Sequence, residues 1–157
     1  MAEQSGLDSA VAQELAERVV RVLYERDRAS QALGITILEV EPGFVRAAMD
    51  VRPDMVNGHD ICHGGLIFTL ADSAFAFSCN SFNVVTVAAG ASIDFLAPGR
   101  KGDRLIATAR QLWRSKRAGL YEIEVVNQDG VTIALFRGRS HQLKGEIIPM
   151  SSQPPGA

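Results

Sequence analysis

The chain has little of several things that would narrow its role. Only two of its 157 residues are cysteine, one is tryptophan, and 16 basic residues face 18 acidic ones. Two cysteines, Cys62 and Cys79, cannot make a disulfide framework and fit a reducing compartment, so a cytoplasmic location is expected. A net charge of -2 gives no support for nucleic acid as the main partner. No apolar run is long enough to span a bilayer, so no membrane partner is expected. The polar, acidic N-terminus lacks the basic stretch and apolar core of a secretory signal. The remaining composition, 46% hydrophobic and 22% charged, is that of a globular protein. A chain of this length suits one domain with a real core.

The segment that carries most information is 57–82, NGHDICHGGLIFTLADSAFAFSCNSF. It opens as a turn rich in Asn, Gly and His. An apolar helix of about five turns follows, carrying one carboxylate, Asp72. Leu66, Ile67, Phe68, Leu70, Ala71, Ala74, Phe75, Ala76 and Phe77 cover almost its whole circumference. Such a helix is a buried one. A carboxylate on it is costly unless paired, hydrogen-bonded or protonated, and costs of that kind mark candidate sites.

Around this helix the pattern is mostly strand. Residues 9–27 predict an amphipathic helix with Val11, Leu15, Val19 and Leu23 on its stripe. Strands are expected at 35–41 and 44–51, joined by Glu41-Pro42-Gly43, and then at 84–97, 103–114, 119–128 and 131–143. Asp129-Gly130 between alternating segments is a hairpin signal. The expected division is an N-terminal helical extension at 1–29, a main domain at 30–145 and a flexible tail at 146–157, with residues 1–8 loose. A helix of about 20 residues is roughly 30 Å long. A strand of about 10 residues is roughly 33 Å long. A curved antiparallel sheet can therefore wrap the helix, with a partner subunit covering what remains, in an α+β arrangement.

Other chemistries fit poorly. His59 and His63 stand four apart, but Gly58, Gly64 and Gly65 make this a loop, so no metal is expected. No Lys-Ser/Thr follows the glycines, as a phosphate loop requires. The cysteines suit small buried hydrophobes; a nucleophilic Cys62 near the helix start is the alternative.

Asn57-Gly58-His59, then Cys62-His63-Gly64-Gly65, then Asp72 eight residues after Gly64 resemble the hot-dog-fold acyl-CoA thioesterases, above all the phenylacetate-degradation branch. Leu70-Ala71-Asp72, Ile93-Asp94-Phe95-Leu96 with Pro98-Gly99, and Val126-Asn127 extend the likeness over roughly 30–145. The resemblance implies a hot-dog fold and no cofactor beyond the coenzyme A of the substrate. It implies that the Gly64 N–H polarises the thioester carbonyl. It implies that Asp72 is nucleophile or general base, and that Asn57 and His63 orient the site. It further implies aryl-acetyl substrates and a homotetramer of two dimers. One departure stands out: some relatives position water with a serine on the strand after the helix, where this chain is read to have Ala88.

Physical chemistry supports the same residues. Thioester hydrolysis passes through an oxyanion, and a free N–H in a helix's first turn is a fixed donor for it. Glycine at 64 and 65 allows close approach. Gly64 and Asp72 are about 12 Å apart along one helix. Reacting atoms must come within about 3–3.5 Å, so one site needs Gly64 from one subunit and Asp72 from another. A homodimer is therefore the expected minimum. For binding acyl-CoA, Gly65, Phe68, the turn Arg114, Lys116, Arg117, and Arg137 are candidates, the cations for the CoA phosphates. The alternatives are an enoyl-CoA hydratase-like enzyme on the same fold and a non-catalytic acyl-CoA sensor.

Overall fold

In the computed structural model, which describes residues 2–150, six strands form one antiparallel sheet in front of a helix. The elements are α1 (Ala2–Arg26), α2 (Arg28–Ala32), β1 (Thr36–Glu41), β2 (Phe44–Asp50), a 3-10 turn (Pro53–Met55), α3 (Gly64–Asn80), β3 (Thr86–Phe95), β4 (Arg104–Arg114), β5 (Ala118–Val126) and β6 (Thr132–Gln142). The sheet order is β1-β2-β4-β5-β6-β3, so β1 and β3 are its edges. The expected strands are all present, within two residues at most ends. The turn at 41–44 closes because Gly43 takes a positive φ of 76°. The β5–β6 hairpin closes around Asn127, whose Oδ1 accepts from the Asp129 and Val131 N–H groups.

Alternate residues of the inner strands face α3 and are buried: Ala47 and Met49, Leu105, Ala107 and Ala109, Tyr121, Ile123 and Val125, Ala134 and Phe136. From α3, Ile67, Leu70, Ala71, Ala74 and Phe75 meet them. Alanines on both surfaces let helix and sheet approach closely. Phe75 is the large knob. Its ring lies against Gly138, Tyr121 and Phe136, at 5.3 and 6.0 Å between centroids for the two aromatic partners.

The structure revises three expectations. The long helix covers 64–80 rather than 62–82, so Cys62 precedes it. The first helix reaches back to Ala2, where a loose end was expected, and its buried stripe is Ala16, Val19 and Val20, while Val11 is 65% exposed. In the expected tail, Ile148 is tied to the Asn83 side chain by two bonds of 2.9 Å; residues 151–157 lie outside the described residues. The described residues leave part of α3 uncovered, the part for which a partner subunit is expected. Gly65 and Ala76 are exposed and Phe68, Thr69 and Asp72 half-buried, which leaves one open stripe.

The first helix gains a structural role. It packs on β1, and Gln13 Nε2 and Tyr24 Oη donate to the Val40 and Ile35 carbonyls, each at 2.7 Å. It thereby covers one sheet edge. The other edge, β3, is exposed at eight of its ten positions.

A Cβ at Gly138 would stand 2.8 Å from three atoms of the Phe75 ring, closer than real contacts allow. Gly138→Ala is expected to lower the unfolding free energy by about 1–3 kcal/mol through overpacking. Denaturant unfolding at fixed protein concentration measures it; an unchanged midpoint would refute the knob-and-gap account.

Candidate active site

The loop before α3 is built by local hydrogen bonds. Asn57 N–H donates to Ile61 O at 2.8 Å, Asp60 N–H to Asn57 O at 3.0 Å, and His59 N–H to Asn57 Oδ1 at 2.9 Å. Asp60 takes a left-handed φ of 56° to close this turn. Cys62 and His63 N–H groups are tied to the Gly99 and Met55 carbonyls, each at 2.8 Å. The helix start is thus pinned from two sides.

His63 is the N-cap of α3. Its Nδ1 accepts from the Gly65 N–H at 3.0 Å, which fixes the ring's tautomer with the proton on Nε2. Gly64, the first helical residue, has an N–H with no acceptor among the described residues. Asn57 uses its oxygen in the turn, while its amide Nδ2 has no partner among them. Both donors line one cavity of about 560 Å³, walled by apolar residues including Ile61, Ile67, Phe95 and Pro98. A cavity with two free donors at a helix N-terminus can hold a carbonyl oxygen that is gaining negative charge.

Asp72 lies two turns further along, on the open stripe with Gly65. Its carboxylate has no hydrogen-bonding or ionic partner among the described residues. Burial without a donor raises its pKa above the ordinary 3.8. Asp72 is outside the cavity that holds Gly64, as the eight-residue spacing on one helix requires.

The remaining candidates divide. Burial raises the Cys62 thiol to about 11, with help from the Asp103 charge, which removes it as a nucleophile. The Cys79 thiol is pushed up to about 12, mainly by burial. Phe68 packs edge-on against Phe136 at 5.1 Å and is half-buried, with its remaining surface on the open stripe of α3. Arg137 does not join the site of its own protomer. It sits on the sheet face away from α3, 3.5 Å from Glu122. The turn holding Arg114, Lys116 and Arg117 is at the far end of the sheet, beside Val87 and His141, while Phe95 and Gly64 are at the other end. Arg114 stacks on Phe82 at 3.8 Å. Sequence reasoning missed Phe95, whose ring lies over Gly64. An aromatic that ends a strand on its buried face was the available signal.

The thioesterase superfamily model matches residues 59–134. The acyl-coenzyme A thioesterase PaaI of Escherichia coli strain K12 is 50% identical over 125 residues, 80% of this chain and 89% of that protein. The chain belongs to the thioesterase superfamily, on its PaaI-type branch. It has the hot-dog fold and is a thioester hydrolase. The solved structure of E. coli PaaI, from the phenylacetic acid degradation operon, superposes with a TM-score of 0.84 at 46% identity, over 85% of this chain and 97% of that one. A mutant of the phenylacetic acid degradation protein PaaI from Thermus thermophilus gives 0.72 at 37% identity, over 74% and 100%. A Streptococcus mutans protein solved bound to acetyl CoA gives 0.68 at 25% identity, over 71% and 90%.

The cap bond yields a prediction. His63→Ala should cost about 0.5–2 kcal/mol of stability, and His63→Asp, which keeps a capping acceptor, should recover most of it. Thermal melts of the three proteins compare them directly. Equal melting of the alanine and aspartate variants would mean that the cap contributes nothing.

Proposed function

We propose that this protein hydrolyses aryl-acetyl-CoA thioesters, phenylacetyl or hydroxyphenylacetyl, to the free acid and CoA, in aromatic-acid breakdown in the cytoplasm. The observation that carries the reading is the pairing, on one open helix stripe, of an unpartnered carboxylate with a free N–H at the helix start. The kinship with PaaI supports the CoA ester, and the relative bound to acetyl CoA supports it further. The aryl-acetyl preference rests on the PaaI likeness and the apolar cavity beside Gly64.

In this reading the Gly64 N–H and Asn57 Nδ2 hold the thioester oxygen. His63 fixes the helix start and so aims the donors. Asp72 of a second protomer either takes a proton from water or attacks the carbonyl carbon itself. In both forms Asp72 starts ionised, the C–S bond breaks and CoA leaves as the thiolate. As a base, Asp72 passes the proton taken from water on to that thiolate. As a nucleophile, it forms an acyl-Asp72 anhydride, which water hydrolyses to the free acid, restoring Asp72 and releasing the proton that the thiolate takes up. Gly65 leaves room for the ester. No metal or redox group is needed for these steps.

The shared site requires a dimer, and two features favour one. The β3 edge runs for ten residues, paired with β6 on one side only, and alternate residues turn their N–H and C=O groups outward. The open α3 stripe centres near Phe68, midway between Gly64 and Asp72, so a two-fold axis there brings the two groups together in both sites. The Arg114–Arg117 turn then lies at the end of the sheet shared with the partner's Gly64 and can meet CoA phosphates. A homotetramer of two such dimers completes the proposal.

Two tests follow. Gly64→Pro removes the N–H yet suits the first helical position, and Asp72→Asn removes the charge. Each alone should be inactive in a free-thiol release assay. Refolded together at equal amounts they should recover about a quarter of wild-type turnover, because half the dimers carry one intact site of two. No recovery would sink the shared site. Separately, kcat/KM should fall as pH drops through Asp72's raised pKa, with its acidic limb above the ordinary 3.8. A limb at or below that value would contradict the burial of the working carboxylate.

A further inference from the structure

Phe95 ends β3 on the sheet face that looks toward α3, opposite Ala134. A Cβ built on Gly64 would lie 3.0 Å from its Cζ and 3.4 and 3.5 Å from its Cε1 and Cε2. The ring therefore covers the glycine whose N–H is free. Despite this inward position the residue is 52% exposed, and Gly64 places no side chain against its ring. The aromatic pairs of the protein are Tyr24 with Phe77, Phe68 with Phe136, and Phe75 with Tyr121 and Phe136; Phe95 belongs to none of them among the described residues. Its open face looks into the cavity of about 560 Å³ that also holds Asn57 and Gly64.

We infer that Phe95 is the specificity-determining residue, the platform on which the acyl group's aromatic ring packs. The inference rests on the proposed aryl-acetyl reading and deepens it. A thioester oxygen bonded to the Gly64 N–H holds the carbonyl carbon beside the Phe95 ring. An aryl-acetyl group places its own ring one methylene away. Aromatic rings pair in offset or edge-on geometry at roughly 4.5–7 Å between centroids, a range open to a ring carried on so short an arm beside Phe95. The methylene also lets the ring turn to meet Phe95. A benzoyl ring, conjugated to the carbonyl, cannot turn freely, and a straight chain brings no aromatic face.

The test compares kcat/KM for phenylacetyl-CoA and hexanoyl-CoA in wild type, Phe95→Leu and Phe95→Tyr. The phenylacetyl/hexanoyl ratio should fall about 2- to 10-fold in the leucine variant and hold in the tyrosine variant, which keeps the aromatic face. A ratio unchanged in Phe95→Leu, even with both rates lowered, would overturn the inference and leave the aryl-acetyl reading standing. A wild type with no preference for phenylacetyl-CoA would overturn that reading first, and the inference with it. Should the leucine variant fail to fold, the wild type still decides. Cyclohexylacetyl-CoA, similar in shape but not aromatic, should be about 2- to 10-fold poorer than phenylacetyl-CoA, and equal values would refute the platform.

Discussion

A helix can lie close to a sheet only where small side chains face each other, and that close approach governs this molecule. Ala71 and Ala74 of α3 meet Ala47, Ala107 and Ala109 of the sheet, while Phe75 fills the one gap left by Gly138. With the sheet so near, one side of α3 is sealed. The first two helices cover only part of the other side, through Val20 and Tyr24 on Phe77 and Ser30 on Ser73, so among the described residues the stripe of Gly65, Asp72 and Ala76 stays open. The open α3 stripe and the bare β3 edge are consequences of the same packing.

The helix is also a fixed rod. Its rise sets the separation of Gly64 and Asp72 at about 12 Å, and no loop motion alters it. Groups on one helix are held at a fixed separation, so under the proposed function a second copy is what brings Gly64 and Asp72 together. The N-terminal end is anchored to match. His63 caps it, the Met55 and Gly99 carbonyls pin the preceding residues, and the Asn57 turn aims an amide at the same cavity. Glycines at 64 and 65 leave room above this anchored end, so a ligand can reach the backbone and the exposed face of Phe95.

Much of this was legible in the sequence. Strand alternation, the Pro-Gly and Asp-Gly breaks and the apolar helix gave the architecture, because period and turn chemistry are local. The motif pointed to Asn57, His63, Gly64 and Asp72, and the structure places Asn57 and Gly64 on one cavity, His63 at the helix cap and Asp72 on the open stripe. What the sequence could not show depends on long-range geometry. Whether Arg137 faces the helix or solvent turns on strand parity relative to the core, and the pairing with Glu122 settles it. Phe68 met Phe136 because two distant segments fold together. The role of α1 was invisible for the same reason: an edge strand is defined by the neighbour it lacks. Phe95 escaped notice because its meaning comes from the absence of a side chain at residue 64.

The carboxylates of the chain show how function can be read from missing contacts. Asp27 caps α2 by accepting from the Ser30 N–H and hydroxyl. Asp50 and Asp54 are each 3.0 Å from an arginine. Asp103 accepts from the Arg100 N–H and from Gln128. Each of these has its charge answered, and each is structural. Asp72 is half-buried with no donor at all. Such a group destabilises the fold that carries it, since burial opposes its charge. The same condition makes it a better base, because its pKa moves toward the pH at which it works and its lone pairs are not occupied. The stripe that leaves Asp72 unanswered within one protomer is the stripe on which a partner and a substrate would meet it.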